Sequence, residues 1–224
     1  MVVPLVASTL AFGLAATAGA TTVRGTLEVR GKIANPGNED LGAPLKPYWE
    51  EWNGFLEVRR ADANPARALS VVLVGKAAGP PVGCDHALRD GDLAPTTMVG
   101  AKGTTLRIEN TDGCAHELYA DGIDAFGPLQ TAPGNARTVP LGETGHFVVR
   151  DRLYPHVVGH LHVVENLVAC AEVDEKGRYR FTDVPEGDHT LQVYRGDAKV
   201  ASQPVEASGR VVTLGPIRVP TGDE

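Results

Sequence analysis

The chain has 224 residues, 42% of them apolar, and a formal net charge of −7, which is enough for one large sandwich or two small domains with a genuine hydrophobic core. Its 21 Lys and Arg are scattered and outnumbered by 28 Asp and Glu, so no basic stripe is present to neutralise phosphates and no nucleic-acid partner is expected. Beyond the first 20 residues the serines are Ser70, Ser202 and Ser208, none in a Gly-x-Ser-x-Gly elbow, and no His-Glu-x-x-His occurs; no enzyme chemistry is expected.

In chain order, the first candidate element is a targeting segment. Residues Val2 to Ala20 carry no charge, run apolar from Leu5 to Ala16, and end in Ala18-Gly19-Ala20. That small-x-small ending predicts a signal peptide, residues 1–20, with a mature start at Thr21; an uncleaved anchor is the rival reading. With the segment removed no long apolar run remains, so no membrane span is expected and the protein is placed in a periplasmic or secreted compartment.

Short β-branched alternating runs then recur between glycines and prolines: 25–33, 69–74, 105–109, 146–149, 162–164, 178–181, 190–194 and 210–214. This pattern predicts an all-β protein built from sandwiches. Only Pro47 to Asn53 suggests a helical turn. Within the aromatic cluster Tyr48 to Phe55, Trp49 and Trp52 would share a face of that turn, either plugging an open sandwich edge or meeting a sugar ring or a protein partner.

Export permits disulfides, and the three cysteines are read in that light. Cys84 and Cys114 each open a Cys-x-His element. A Cys84–Cys114 disulfide is the leading expectation; unpaired or otherwise paired thiols and a Cys₂His₂ metal site stay open, the last without zinc-finger spacing. Cys170 is then the odd cysteine, read as a buried thiol.

Two stretches carry a family resemblance. Asn110-x-Asp112-x-x-x-His116 follows the alternating strand Thr105 to Glu109, and a loop from Asp151 runs through Gly159 into the strand Leu161 to Val164. Together they resemble the metal-bearing edges of a plastocyanin-like cupredoxin. The resemblance implies His116 as the first ligand, with the Cys, His and Met ligand places falling on Asp151, Tyr154 and Val157. None of those three is the family's ligand, and a thiolate has no substitute in blue-copper chemistry.

The cofactor expectation is therefore none, with copper as the alternative. Nitrogen and oxygen donors from His116 and His156, with Asp151 or Tyr154, could hold Cu(II) or Zn(II); the bland reading is imidazoles left on a degenerate copper site. His160 and His162 would point to the same face of a strand.

Further along, Asp174 to Gly177, the strand to Phe181, Val184-Pro185-Glu186-Gly187 and the strand to Tyr194 are similar to the carboxypeptidase regulatory-like (prealbumin-like) domain. Lys176-Gly177 turns the chain and Pro185 with Gly187 sets a second reversal. His189 reads as structural. Residues 166–219 hold too few of the predicted strands to close a sandwich, so strands 25–33 and 69–75 are expected to complete it.

The reading is then residues 21–165 as N-terminal strands plus a cupredoxin-like Greek-key sandwich (core about 81–165), followed by a small prealbumin-like β-sandwich. The expected function is that of an exported, non-catalytic binding or structural protein with a protein or carbohydrate partner, derived from a cupredoxin that lost its copper ligands. The alternative is a periplasmic copper-binding or redox protein using His116.

Overall fold

The computed structural model describes residues 20–29, 33–34, 62–76 and 79–220. The expected signal peptide before residue 20, the helical turn Pro47 to Asn53 and the aromatic cluster Tyr48 to Phe55 lie outside them. In chain order the strands are β1 (Ala20–Val29), β2 (Ile33–Ala34), β3 (Asp62–Ala63), β4 (Leu69–Gly75), β5 (His86–Leu88), β6 (Leu93–Ala94), β7 (Thr97–Ala101), β8 (Thr105–Asn110), β9 (His116–Ala120) and β10 (Leu129–Thr131). Then come β11 (Ala136–Pro140), β12 (Gly145–Asp151), β13 (Val158–Val164), β14 (Leu167–Val173), β15 (Arg178–Pro185), β16 (Gly187–Arg195), β17 (Ala198–Ala207), β18 (Val211–Thr213) and β19 (Ile217–Val219). The protein is all-β; the described residues include one four-residue helical turn, Pro65–Ala68.

Strands β5 to β13 form two sheets, ordered β10-β9-β12-β13-β7 and β11-β8-β5-β6. Alternation drives their stacking: in β8 Leu106 and Ile108 are buried while Thr105 and Arg107 are exposed, so one face must find a dry partner. Leu88, Leu93, Met98, Ile108, Leu118, Phe126, Leu141 and Leu161 meet in one buried cluster between the sheets. Each such side chain contributes about 1.5–3 kcal/mol by leaving water.

The remaining long strands follow the order β17-β16-β4-β14-β15-β1-β18, with β19 also on β1. Within β14, residues Leu167 to Ala171 pair with β4 and residues Glu172 and Val173 pair with β15. The sheet folds over itself at this shared strand. Val23, Leu27, Tyr179 and Phe181 from one half and Leu69, Val71, Leu73, Leu191 and Val193 from the other fill a single core. The two upstream strands sit inside this sheet, β1 antiparallel to β15 and β4 between β14 and β16.

The Asp174 turn forms as its sequence suggests. Asp174 Oδ1 accepts from the Lys176 and Arg178 amides, both at 2.9 Å, and Gly177 takes a φ of 74° that favours glycine. The second reversal is different in kind. β15 and β16 do not pair with one another, so Pro185 to Gly187 carries the chain from one half of the folded sheet to the other. His189 pins that corner, its Nε2 donating to the Pro185 carbonyl at 2.7 Å.

The expected Cys84–Cys114 bridge is not formed. Cys84 is bonded to Cys170, and Cys114 is the free thiol. The cause is local pairing: Val82 bridges Ala169 in parallel, and the Cys170 amide donates to the Val82 carbonyl at 2.9 Å. Cys84 is thereby drawn alongside β14, with a Cα–Cα distance to Cys170 of 4.9 Å that a disulfide can span.

The two sandwiches meet through a small apolar cluster of their own, Val72, Val99, Ala101, Leu167 and Tyr194. Hydrogen bonds flank it. Ser70 Oγ donates to the Thr97 carbonyl at 2.5 Å, Thr97 Oγ1 donates to the Ala68 carbonyl at 2.7 Å, and the Gly196 amide donates to Thr97 Oγ1 at 2.8 Å.

Candidate functional site

Asn110, at the end of β8, fixes the segment that delivers His116. Its Nδ2 donates to the carbonyls of Cys114 and Thr131, both at 2.9 Å, and its Oδ1 accepts the Asp112 amide at 3.0 Å. A fully buried amide with these partners satisfies the turn's polar backbone and cannot easily be replaced by an apolar side chain. His116, the first residue of β9, follows from this turn with no exposed surface.

The buried ring is held on both sides. Asp151, the last residue of β12, places Oδ2 2.7 Å from His116 Nδ1, and Asp112 places Oδ2 3.1 Å from His116 Nε2. Ionised carboxylates only accept. With both ionised, each ring nitrogen must donate and the ring is an imidazolium; if the ring is neutral, one carboxyl holds the proton.

Asp151 is also a local turn-former. Its Oδ1 accepts from the amides of Leu153 at 2.7 Å, Tyr154 at 3.1 Å and Glu117 at 3.3 Å. The residue at the expected Cys place thus ties β9 to β12 and shapes the loop after β12. Val157, at the Met place, lies in the sandwich core with no exposed surface. Tyr154, at the second His place, sets its ring 5.0 Å from His116 and 6.1 Å from His156.

His116 and His156 both lie near the Tyr154 ring. His156 Nε2 donates to the Gly91 carbonyl at 3.0 Å, while the Gly91 amide donates to Asp112 Oδ2 at 3.0 Å. Gly91 links the two histidines through backbone. The loop register rests on Gly159, where a Cβ would come within 2.8 Å of the Thr96 carbonyl oxygen; β13 can run against that segment only with glycine there.

A His₂Cys copper site with a weak axial ligand is not matched by these donors. The imidazole and both carboxylates are already engaged with one another, and among the described residues no group of three or more His, Cys, Asp or Glu is arranged to hold a metal. One feature escaped the sequence reading. The free Cys114 stands with Sγ 3.6 Å from His116 Nε2; the Cys-x-His spacing was its signal, and reading it as half of a disulfide concealed it.

No family model matches the chain, and no curated protein matches it. Solved structures similar to it are cupredoxins at low identity. A purple cupredoxin from Nitrosopumilus maritimus is 16% identical, over 36% of this chain and 99% of its own, with a TM-score of 0.31. Amicyanin from Paracoccus versutus is 17% identical, over 42% of this chain and 97% of its own, with a TM-score of 0.33. An oxidised amicyanin mutant is 14% identical, over 46% and 97%, with a TM-score of 0.33.

Proposed function

We propose that this chain is an exported, non-catalytic β-sandwich protein with a binding or structural role toward a protein or carbohydrate partner. In this reading a cupredoxin-like frame carries a carboxylate–histidine row where copper ligands would stand, beside a regulatory-like module. The observation that carries it is the 2.7 Å contact between Asp151 and His116. The carboxylate at the thiolate's place has both oxygens committed to holding the fold. Export rests on the apolar first 20 residues, and the non-catalytic reading on the absence of a nucleophile motif in the sequence.

The test is metal analysis of the protein purified from its own compartment without chelators. Copper well below one equivalent is the expected result. Near-stoichiometric copper would overturn the reading in favour of the alternative, a copper-binding or redox protein using His116. One observation favours that alternative: the Cys114 thiol beside His116 Nε2. Copper bound in wild type and lost in both Cys114→Ser and His116→Ala would establish it.

A further inference from the structure

Three histidines outside the site described above lie together on the outer face of the β12–β13 pair. His146 is directly opposite His162 across the ladder and His160 is one step along it. His146 Nε2 and His160 Nδ1 are 2.8 Å apart, and the rings of His146 and His162 are 5.0 Å apart between centroids. His162 is buried, 6% exposed. It reaches the second sandwich, with Nε2 donating to the Gly196 carbonyl at 2.8 Å and its ring against Tyr194 at 4.5 Å.

We propose that the His146–His160–His162 row is an acid-sensitive latch between the two sandwiches, holding the β16–β17 turn against β13 while the rings are neutral and releasing it when they gain protons. The geometry gives the reason. Between two ring nitrogens 2.8 Å apart there is room for one proton, with one nitrogen donating and the other accepting. When both rings are protonated, two N–H groups face each other and the bond is lost. The neighbouring His162 would then carry its own charge into a dry space shared with Tyr194 and beside a charged His146.

The groups facing His162 divide into opposing sets. Burial, the largest influence, and the nearby His146 disfavour its charged form; the Gly196 carbonyl and Asp197 favour it. Thr97 and Tyr194 on the adjoining strands add no charge, although the Tyr194 ring face also suits a cation. Burial prevails, and the His162 ring is held below its ordinary value of 6.5. A histidine depressed in the closed state and ordinary in the open one contributes its full share above about pH 6.5, and that share is lost as pH falls through the closed-state value.

Hydrogen exchange on the full chain tests this at the Gly196 amide, which donates to Thr97 Oγ1 across the joint. Protection, corrected for intrinsic exchange rates, should fall by about tenfold or more between about pH 7.5 and pH 5 in wild type. The fall should be clearly smaller in His162→Gln, whose amide can donate to Gly196 yet cannot take up a proton. Flat protection in wild type would overturn the latch. So would an equal loss in His162→Gln, which would assign the acid response to another group such as the buried His86. Should His162→Gln fail to fold, His146→Gln at the exposed end of the row decides: with the charge that opposes protonation of His162 removed, the loss of protection should be clearly smaller, and an undiminished loss overturns the proposal.

Discussion

Asp151 illustrates how one side chain can carry two structural duties that the sequence shows only in part. Its place after a β-strand and before a loop was legible; its buried contact with His116 was not, because that partner lies 35 residues away. Asp151→Ala would strand three backbone amides and a buried ring nitrogen. A loss of about 3–5 kcal/mol in urea unfolding is expected. Asp151→Asn keeps an acceptor for the amides and should lose clearly less. Equal losses in the two variants would show that the charge facing His116, not the turn, dominates.

His86 poses the opposite case, a buried imidazole with one satisfied nitrogen. Nε2 donates to the Val99 carbonyl at 3.1 Å, while Nδ1 has no partner among the described residues. Burial, outweighing the Val99 bond and Asp85, holds this ring below its ordinary value of 6.5. The sign is the same as for His162: unfolding exposes a ring that binds a proton more readily, so stability is full above about pH 6.5 and declines on acidification. Urea midpoints should fall between about pH 7 and pH 5 in wild type and fall less in His86→Gln.

At the scale of elements, strands with strict alternation were legible and strands defined by their neighbours were not. β8 is visible because Leu106 and Ile108 alternate with polar residues. β17 is not: it mixes Lys199, Ser202, Gln203 and Pro204, tolerated because it is the end strand of the sheet's path. β14 also escapes the pattern, since it is buried on both sides through Leu167, Val168 and Ala169. Missing β14 is why Cys84 lacked its true partner in the sequence reading.

The bridge to β14 closes a separation of 86 residues, and a loop of that size corresponds to on the order of 4 kcal/mol of chain entropy. Native, unreduced protein should therefore show one reactive thiol after unfolding, assigned to Cys114. Cys84→Ser should lower the urea midpoint substantially. Recovery of a peptide linking residues 84 and 114 would contradict the fold described for this region.

The whole molecule depends on strands from distant parts of the sequence. β4 lies between β14 and β16, and β1 between β15 and β18, so a fragment of residues 166–224 lacks two interior strands and leaves unpaired edges. It should give a collapsed amide spectrum and no cooperative melt; a dispersed spectrum and sharp melt would show that those strands are dispensable. The shortage of predicted strands after residue 166 was the signal for this pairing. The joint between the sandwiches was not legible, because His162, Tyr194 and Gly196 meet only through tertiary packing.

His116 is held between the Asp151 and Asp112 carboxylates, an arrangement that does not match a thiolate copper site. Titration of the pure full chain with Cu(II), followed by optical and EPR spectra, tests it most directly, with Cys114→Ser alongside. The expected result is no intense visible charge-transfer band and only nitrogen- and oxygen-type EPR signals, equal in wild type and Cys114→Ser. An intense thiolate-to-copper band in wild type that disappears in Cys114→Ser would contradict it.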